Sequence, residues 1–136
     1  MAKILIVDDS PTVTAVFRRM FVRAGHLVIV AGDGASGLSA ARAERPDLVL
    51  LDRVLPDMDG FEVCRALRAD PQLMMVKVLM LTGNADEGLL AQGKEAGVNL
   101  LLTKDSGPAR VSEAIAQLLE EASAQFSSQE TIQQRR

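Results

Sequence analysis

The sequence has almost none of the side chains that build disulfides, zinc sites or imidazole metal centres. Cys64 is the single cysteine and His26 is the single histidine. One cysteine excludes an internal disulfide and a multi-cysteine zinc site, and one histidine cannot supply the two or three imidazole ligands of a typical metal centre. The same scarcity argues against most catalytic triads. Any chemistry in this chain is therefore expected to use other residue types.

Long apolar runs and clusters of positive charge are also missing. No stretch approaches the roughly 20 apolar residues that a membrane-spanning helix needs, and the N-terminus has no signal-peptide pattern. The net charge is −3, and adjacent basic residues occur only at Arg18–Arg19 and Arg135–Arg136. These features predict no membrane association and no nucleic-acid binding by this chain alone. We therefore expect a cytoplasmic protein.

The length and composition that are present fit one globular domain. The chain has 136 residues, of which 48% are apolar and 24% are charged. A chain of this size buries roughly 68% of the surface that it exposes when unfolded, which is enough for a single core. We therefore expect one folded domain within these 136 residues.

Short apolar runs alternate with amphipathic segments along the whole chain. The apolar runs predict five strands, at Lys3–Val7, Leu27–Ala31, Leu48–Asp52, Lys77–Leu81 and Leu100–Leu102. The segments between and after them predict five helices, at about Ser10–Ala24, Gly34–Arg45, Asp59–Ala69, Asp86–Ala96 and Pro108–Ala122. Such alternation requires right-handed crossovers, so we expect an α/β fold with a five-stranded parallel sheet that is doubly wound.

Polar side chains stand where four of these strands end. Parallel strands have their carboxyl ends at one edge of a sheet, which is where open α/β sheets bind ligands. The polar residues at these ends are Asp8, Asp9, Asp52, Thr82 and Lys104. We therefore expect them to converge on one functional site.

The residue types at this edge favour a magnesium ion and a phosphoryl group. Carboxylates of Asp8, Asp9 and Asp52 would repel one another unless a cation lay among them. All-oxygen ligands select a hard ion such as Mg²⁺. A carboxylate nucleophile, the Thr82 hydroxyl and the Lys104 ammonium would then complement the charge that a phosphoryl group spreads over three oxygens.

These residues lie in motifs that resemble the response-regulator receiver domain of the CheY type. The motifs are Val7-Asp8-Asp9-Ser10, Leu51-Asp52-Arg53-Val54-Leu55-Pro56-Asp57-Met58-Asp59-Gly60, Leu81-Thr82-Gly83 and Thr103-Lys104. The resemblance extends from Lys3 to about Leu119 and implies a flavodoxin-like, CheY-like fold. We assign residues 1–122 to a receiver domain and residues 123–136 to a polar C-terminal tail or the start of a linker.

The resemblance also implies a role for each site residue. Asp52 would accept a phosphoryl group from a phosphohistidine of a sensor histidine kinase or phosphotransfer protein. Asp9 and the backbone carbonyl of Val54 would help Asp52 hold Mg²⁺, and Asp8 would act through water. Thr82 and Lys104 would bind the phosphoryl oxygens. Such a chain is a two-component switch that phosphorylates and dephosphorylates itself with Mg²⁺, and it passes its signal to a downstream protein rather than acting as an enzyme.

Two positions depart from the receiver pattern. Leu101 stands where receivers commonly have an aromatic residue, so we expect the usual coupling between Thr82 and the output face to be altered. Asp105 follows Lys104 where receivers usually have proline, often after a cis bond. A cis bond before a non-proline residue costs about 3 kcal/mol, so we expect a trans link with a shifted Lys104 or a strained exception. Asp105 could also pair with Lys104 and compete for it.

Two other positions bear on how long a phosphoryl group would stay bound. In similar receivers, the places of Val54 and Asn84 adjust hydrolysis, and here neither is an acid. The sequence leaves this lifetime open.

Two other functions remain as alternatives. Gly32–Gly37 has the spacing of a dinucleotide-binding turn, with Asp52 about 20 residues further on, although Asp33 would place a negative charge beside the pyrophosphate. The other alternative is a phosphatase or mutase with an aspartyl nucleophile and Mg²⁺. Such an enzyme would want a second acid two residues after the nucleophile, where Val54 stands.

Overall fold

The computed structural model describes residues 1–84 and 86–134, with side chains described up to residue 124. Its strands are β1 (Lys3–Val7), β2 (Leu27–Ala31), β3 (Leu48–Asp52), β4 (Lys77–Thr82) and β5 (Leu100–Thr103). Its α-helices are α1 (Pro11–Arg23), α2 (Gly34–Glu44), α3 (Gly60–Ala69), α4 (Glu87–Ala96) and α5 (Pro108–Gln134), and a short 3₁₀ helix spans Lys104–Ser106. The predicted alternation of five strands and five α-helices is confirmed.

The strands form one parallel sheet in the order β2-β1-β3-β4-β5. Strand order reverses between β1 and β3, and this reversal creates a crevice at the carboxyl ends of the strands. The register aligns these ends, because Val7 lies opposite Leu51 while Thr82 lies opposite Thr103. The loops that follow β1, β3, β4 and β5 therefore meet at one edge.

Helices cover both faces of the sheet, so the central strands are buried on each side. Every residue of β3 and β4 is buried. One core cluster packs α2, α3 and α4 against the sheet, and the other packs α1 and α5. Burying each large aliphatic side chain contributes about 1.5–3 kcal/mol, which explains why these strands are almost continuously apolar.

Helix starts follow the polar residues that the sequence provides. Ser10, Asp33, Asp59 and Asp86 are the N-caps of α1 to α4, and each side chain accepts a hydrogen bond from a first-turn amide. Satisfying these amides stabilises a helix by about 1 kcal/mol per cap. Because the caps come directly after the strand ends or their loops, they fix the backbone around the crevice.

The end of α5 differs from the sequence-based expectation. The predicted end near Ala122 is wrong, because the helix continues to Gln134. After Pro108 the sequence contains no glycine or proline, so nothing in it terminates the helix. Among the described residues, no helix has both the length and the apolar character needed to span a bilayer.

Candidate functional site

Three carboxylates meet at the crevice between β1 and β3. Asp8, Asp9 and Asp52 each offer an oxygen that lies within 4.8 Å of the other two. Asp8 and Asp52 are buried, whereas Asp9 is exposed. The structure thus brings together the three acids that the sequence places at two separate strand ends. Two buried donors with an open side are suited to a hydrated cation that keeps some of its waters.

Burial and the neighbouring carboxylates both disfavour the charged form of Asp8. Burial raises the pKa of Asp8 above its usual value, the hydrogen bond from the Ser10 amide opposes that rise, and the charge of Asp52 adds to it. The Ser10 nitrogen lies 2.9 Å from Asp8 Oδ1. A divalent cation would offset this repulsion because it favours the charged form of each carboxylate. The donor set therefore fits Mg²⁺.

Lys104 reaches into the site from the start of the 3₁₀ helix that follows β5. Its Nζ lies 3.1 Å from Asp52 Oδ1, with the Lys104 side chain 46% exposed and that of Asp52 only 3% exposed. The same Asp52 oxygen accepts a hydrogen bond of 3.3 Å from the Val54 amide. The buried carboxylate is thus held by a cation on one side and by backbone on the other.

The residue after Lys104 does not disturb this contact. No cis peptide bond occurs within the described residues, so the Lys104–Asp105 link is trans. The chain then makes a short 3₁₀ turn in which the hydroxyls of Thr103 and Ser106 lie 3.0 Å apart. The expected trans link is confirmed, whereas the shift of Lys104 away from the site that was expected with it is not found. Lys104 pairs with Asp52, so the concern that Asp105 would divert it is not supported.

The Thr82 hydroxyl faces the loop that follows β4. Thr82 is 2% exposed, and its Oγ1 donates to the Asn84 carbonyl over 2.9 Å. A threonine hydroxyl has one proton, so it cannot keep this bond and also donate to a phosphoryl oxygen. Binding a phosphoryl group through Thr82 therefore requires the backbone contact at Asn84 to break.

The loop after β3 is closed tightly against the strand that carries Asp52. Val54 and Asp59 form an isolated antiparallel bridge, and the Gly60 amide donates to the Arg53 carbonyl over 2.6 Å. A Cβ at Gly60 would lie 2.6 Å from the backbone oxygen of Asp52, a distance that real side chains do not occupy. The Asp59-Gly60 pair thus combines a helix cap with the only residue type that fits beside the strand end.

The glycine-rich turn before α2 is already occupied by protein groups. The amides of Gly34 and Ala35 donate to the two carboxylate oxygens of Asp57 over 2.7 and 2.9 Å, and Asp33 accepts from the Ser36 amide. These first-turn amides are the ones that a dinucleotide pyrophosphate would need. The arrangement therefore argues against the dinucleotide alternative. The role of Asp57 was missed by the sequence analysis.

The bonds to Asp57 also have an electrostatic consequence. Donation from Gly34 first, and from Ala35 second, lowers the pKa of the Asp57 carboxyl from its usual 3.8. A lowered folded-state pKa means that the stability from these bonds is fully present above that usual value and is lost as the pH falls through the folded-state pKa.

Leu101 occupies the place where receivers commonly have an aromatic ring. It is half-buried, lies opposite Met80 in the sheet, and packs against the core cluster of α2, α3 and α4. A leucine at this position contributes packing but has no ring to turn between an inward and an outward pose. At this position the chain therefore has a packed aliphatic side chain in place of a ring.

Comparisons with known proteins agree with the fold. The sequence profile of the response regulator receiver domain matches residues 4–116. Protein PilH of Pseudomonas aeruginosa is 40% identical over 104 residues, which cover 76% of this chain and 86% of PilH. The alkaline phosphatase synthesis transcriptional regulatory protein PhoP of Bacillus subtilis is 38% identical over 117 residues, which cover 86% of this chain and 48% of PhoP. The chain therefore spans about half the length of PhoP.

Solved structures give the same result in three dimensions. The chemotaxis response regulator CheY4 of Vibrio cholerae matches with a TM-score of 0.83 and 31% identity, over 87% of this chain and 98% of CheY4. A CheY-like receiver domain protein of Methanospirillum hungatei matches with a TM-score of 0.86 and 27% identity, over 92% of this chain and 98% of that one. The profile match, the relatives and the shared fold together show that this chain belongs to the response regulator receiver domain family of two-component systems.

Proposed function

We propose that this chain is a phosphoacceptor switch in which Asp52 receives a phosphoryl group from a phosphohistidine. The observation that supports this most directly is the environment of Asp52, a buried carboxylate that lies beside two other acids and in contact with the Lys104 ammonium. In the transfer, the bond between phosphorus and the histidine nitrogen breaks as a bond from phosphorus to an Asp52 oxygen forms. The product is an acyl phosphate, and attack of water on its phosphorus restores the carboxylate.

Mg²⁺ would be held by Asp9, Asp52 and the backbone carbonyl of Val54, with Asp8 acting through water. When bound, the ion supplies positive charge that neutralises the phosphoryl oxygens and the clustered acids. The Val54 amide donates to Asp52, which supports a role for this backbone segment next to the phosphoacceptor. Lys104 provides a second positive charge, already in place on Asp52.

The switch itself would begin at Thr82. When its hydroxyl turns to a phosphoryl oxygen, the Asn84 carbonyl loses its partner and the loop between β4 and α4 is released. Phosphorylation would thus favour one of two states of this loop, and a downstream protein would read the difference on the face of α4, β5 and α5. Because Leu101 lies in that face, the coupling would depend on aliphatic repacking.

The donor would be a sensor histidine kinase or a phosphotransfer protein, and the output would be a contact with another protein. PhoP is a transcriptional regulator, but we do not assign DNA binding to this chain. Its net charge of −3 provides no electrostatic attraction to a phosphate backbone.

The proposed function predicts phosphate uptake that depends on magnesium. Incubation with acetyl phosphate and Mg²⁺ should add one acid-labile phosphoryl group per chain, visible by intact-protein mass spectrometry. Removal of Mg²⁺ with excess EDTA should reduce uptake to background, because the clustered carboxylates and phosphate would then repel one another. Uptake at the same rate with EDTA would contradict the role of the metal.

The same preparation separates a switch from an aspartyl phosphatase. Val54 stands two residues after Asp52, and its apolar side chain is 65% exposed and cannot transfer a proton. We therefore expect no multiple turnover of a small phosphate ester such as p-nitrophenyl phosphate. Sustained turnover that requires Asp52 would favour the phosphatase.

Asp9→Ala should weaken Mg²⁺ binding while leaving the fold intact. The variant deletes an exposed ligand and also removes one charge from a repelling cluster, so the melting temperature should stay the same or rise. We expect Mg²⁺ affinity to fall about 10-fold or more, since even an outer-shell partner is worth that much. Calorimetric titration of both proteins with Mg²⁺ measures the change, and equal affinities would remove Asp9 from the metal site.

A further inference from the structure

We propose that Asp57 is a positioning residue that holds the loop between β3 and α3 in the shape needed to bind metal through Val54. This inference rests on the proposed function, because Val54 is a proposed ligand through its backbone carbonyl. In this proposal Asp57 does not touch the ion but fixes the backbone that presents the Val54 carbonyl.

The base of this loop is fixed by its own backbone. Gly60 donates to Arg53, and Val54 pairs with Asp59 across the loop. These contacts leave the turn around Pro56 and Asp57 as the part that its own backbone does not tie down. An exposed turn of this kind would move readily unless something outside the loop held it.

The outside anchor is the start of α2. Asp57 accepts one hydrogen bond on each carboxylate oxygen, from Gly34 at 2.7 Å and from Ala35 at 2.9 Å. A carboxylate with two amide donors at a helix N-terminus makes charge-assisted bonds that also suit the helix dipole. The loop that follows β3 is thus tied to α2, the helix that precedes β3 in the chain.

Close packing at the same point supports the anchor. Met58 is partly buried and packs against the core cluster of α2, α3 and α4. A Cβ at Gly34 would clash with Met58 Cγ, so this side chain rests directly on the first residue of α2. Hydrogen bonds from Asp57 and contact through Met58 therefore hold the tip of the loop together. With the tip held as well as the base, the Val54 backbone at the base of the loop has little freedom.

The chain offers a matched control on the same helix. Asp33 caps α2 through the Ser36 amide but is not part of the loop. Asp33→Ala and Asp57→Ala each remove a carboxylate from the N-terminus of α2, so both should lower thermal stability. Only Asp57→Ala releases the loop.

Mg²⁺ binding and amide exchange test this difference. We expect Asp57→Ala to raise the Kd for Mg²⁺ about 10-fold, the lower end of the range for outer-shell partners. Asp57→Asn, which keeps one acceptor oxygen, should raise it about 3-fold, and Asp33→Ala less than about 2-fold. Without metal, hydrogen exchange at the Val54 amide should be faster in Asp57→Ala than in wild type and unchanged in Asp33→Ala. At saturating Mg²⁺, labelling by acetyl phosphate should return to the wild-type rate in all three variants.

The outcomes separate this inference from the function on which it rests. If wild type binds Mg²⁺ and accepts phosphate but Asp57→Ala does both equally well, the positioning role is wrong and the proposed function stands. An equal loss of Mg²⁺ affinity in Asp57→Ala and Asp33→Ala would show a general effect of α2 and would also overturn the role. Wild type that binds no Mg²⁺ at all would overturn both proposals.

Discussion

Asp52→Asn is expected to reduce phosphate uptake to background, whether the donor is acetyl phosphate or a phosphohistidine protein. Asparagine has nearly the same shape and keeps an oxygen that can accept the Val54 amide, so the local structure should survive. Its amide oxygen is not a nucleophile that can form an acyl phosphate. Acid-labile phosphate measured per chain, with circular dichroism to verify folding, tests the prediction.

Asp59→Asn provides a control for this experiment within the same loop. Asp59 caps α3 through the Phe61 amide at 2.8 Å, and asparagine is an equally good N-cap. This variant also removes a carboxylate near the site, but it should retain phosphate uptake. Undiminished labelling of Asp52→Asn would place the acceptor at another residue, and loss of labelling in Asp59→Asn would show that any charge change here is disruptive.

Much of the fold and of the site could be predicted because they depend on local patterns. Strands β3 and β4 are buried on both faces, so they are almost continuously apolar and easy to recognise. The order of alternating elements then requires parallel strands, and parallel strands bring their carboxyl ends to one edge. Asp8 and Asp52 could therefore be placed together without any knowledge of their distance.

Other features could not be predicted because the spacing of apolar residues does not encode them. Asp57 is an exposed carboxylate in a turn, and its bonds to Gly34 and Ala35 span more than 20 residues, with separations of 23 and 22. The bond between Thr82 and Asn84 depends on the rotamer of one hydroxyl. Tertiary packing selects the partners of Asp57, and a single side-chain torsion selects the partner of Thr82.

The position of Lys104 shows a third limit of sequence reasoning. The family pattern has a proline after this lysine, so replacement by Asp105 suggested a displaced side chain. The structure keeps Lys104 on Asp52 through a 3₁₀ turn, in which Thr103 and Ser106 place their hydroxyls in contact. Lys104 thus contacts Asp52 although no proline follows it, so a departure from a motif need not remove the contact that the motif suggests.

Gly60→Ala is expected to cause the largest loss of stability among single-methyl changes near the site. The added Cβ would lie 2.6 Å from the Asp52 oxygen and 2.8 Å from the Arg53 Cα, and both are backbone atoms that cannot rotate away. The strand end or the start of α3 must therefore shift. Overpacking of this kind costs about 1–3 kcal/mol, occasionally more, and here the shift also moves the backbone that carries the phosphoacceptor.

Chemical denaturation and phosphate uptake should be measured on Gly60→Ala beside Gly32→Ala. A Cβ at Gly32 has no atom within 4 Å. The free energy of unfolding of Gly32→Ala should therefore lie within about 1 kcal/mol of the wild-type value, and the variant should keep its phosphate uptake. In Gly60→Ala, a shifted Asp52 would no longer face Lys104 and the other acids in the same geometry, so uptake should fall even where the protein is fully folded. Equal stability of the two variants would mean that the loop after β3 is not closed as tightly as its contacts indicate. Lower stability with normal uptake would show that Gly60 serves the fold alone, because the phosphoacceptor would then tolerate movement of its own strand end.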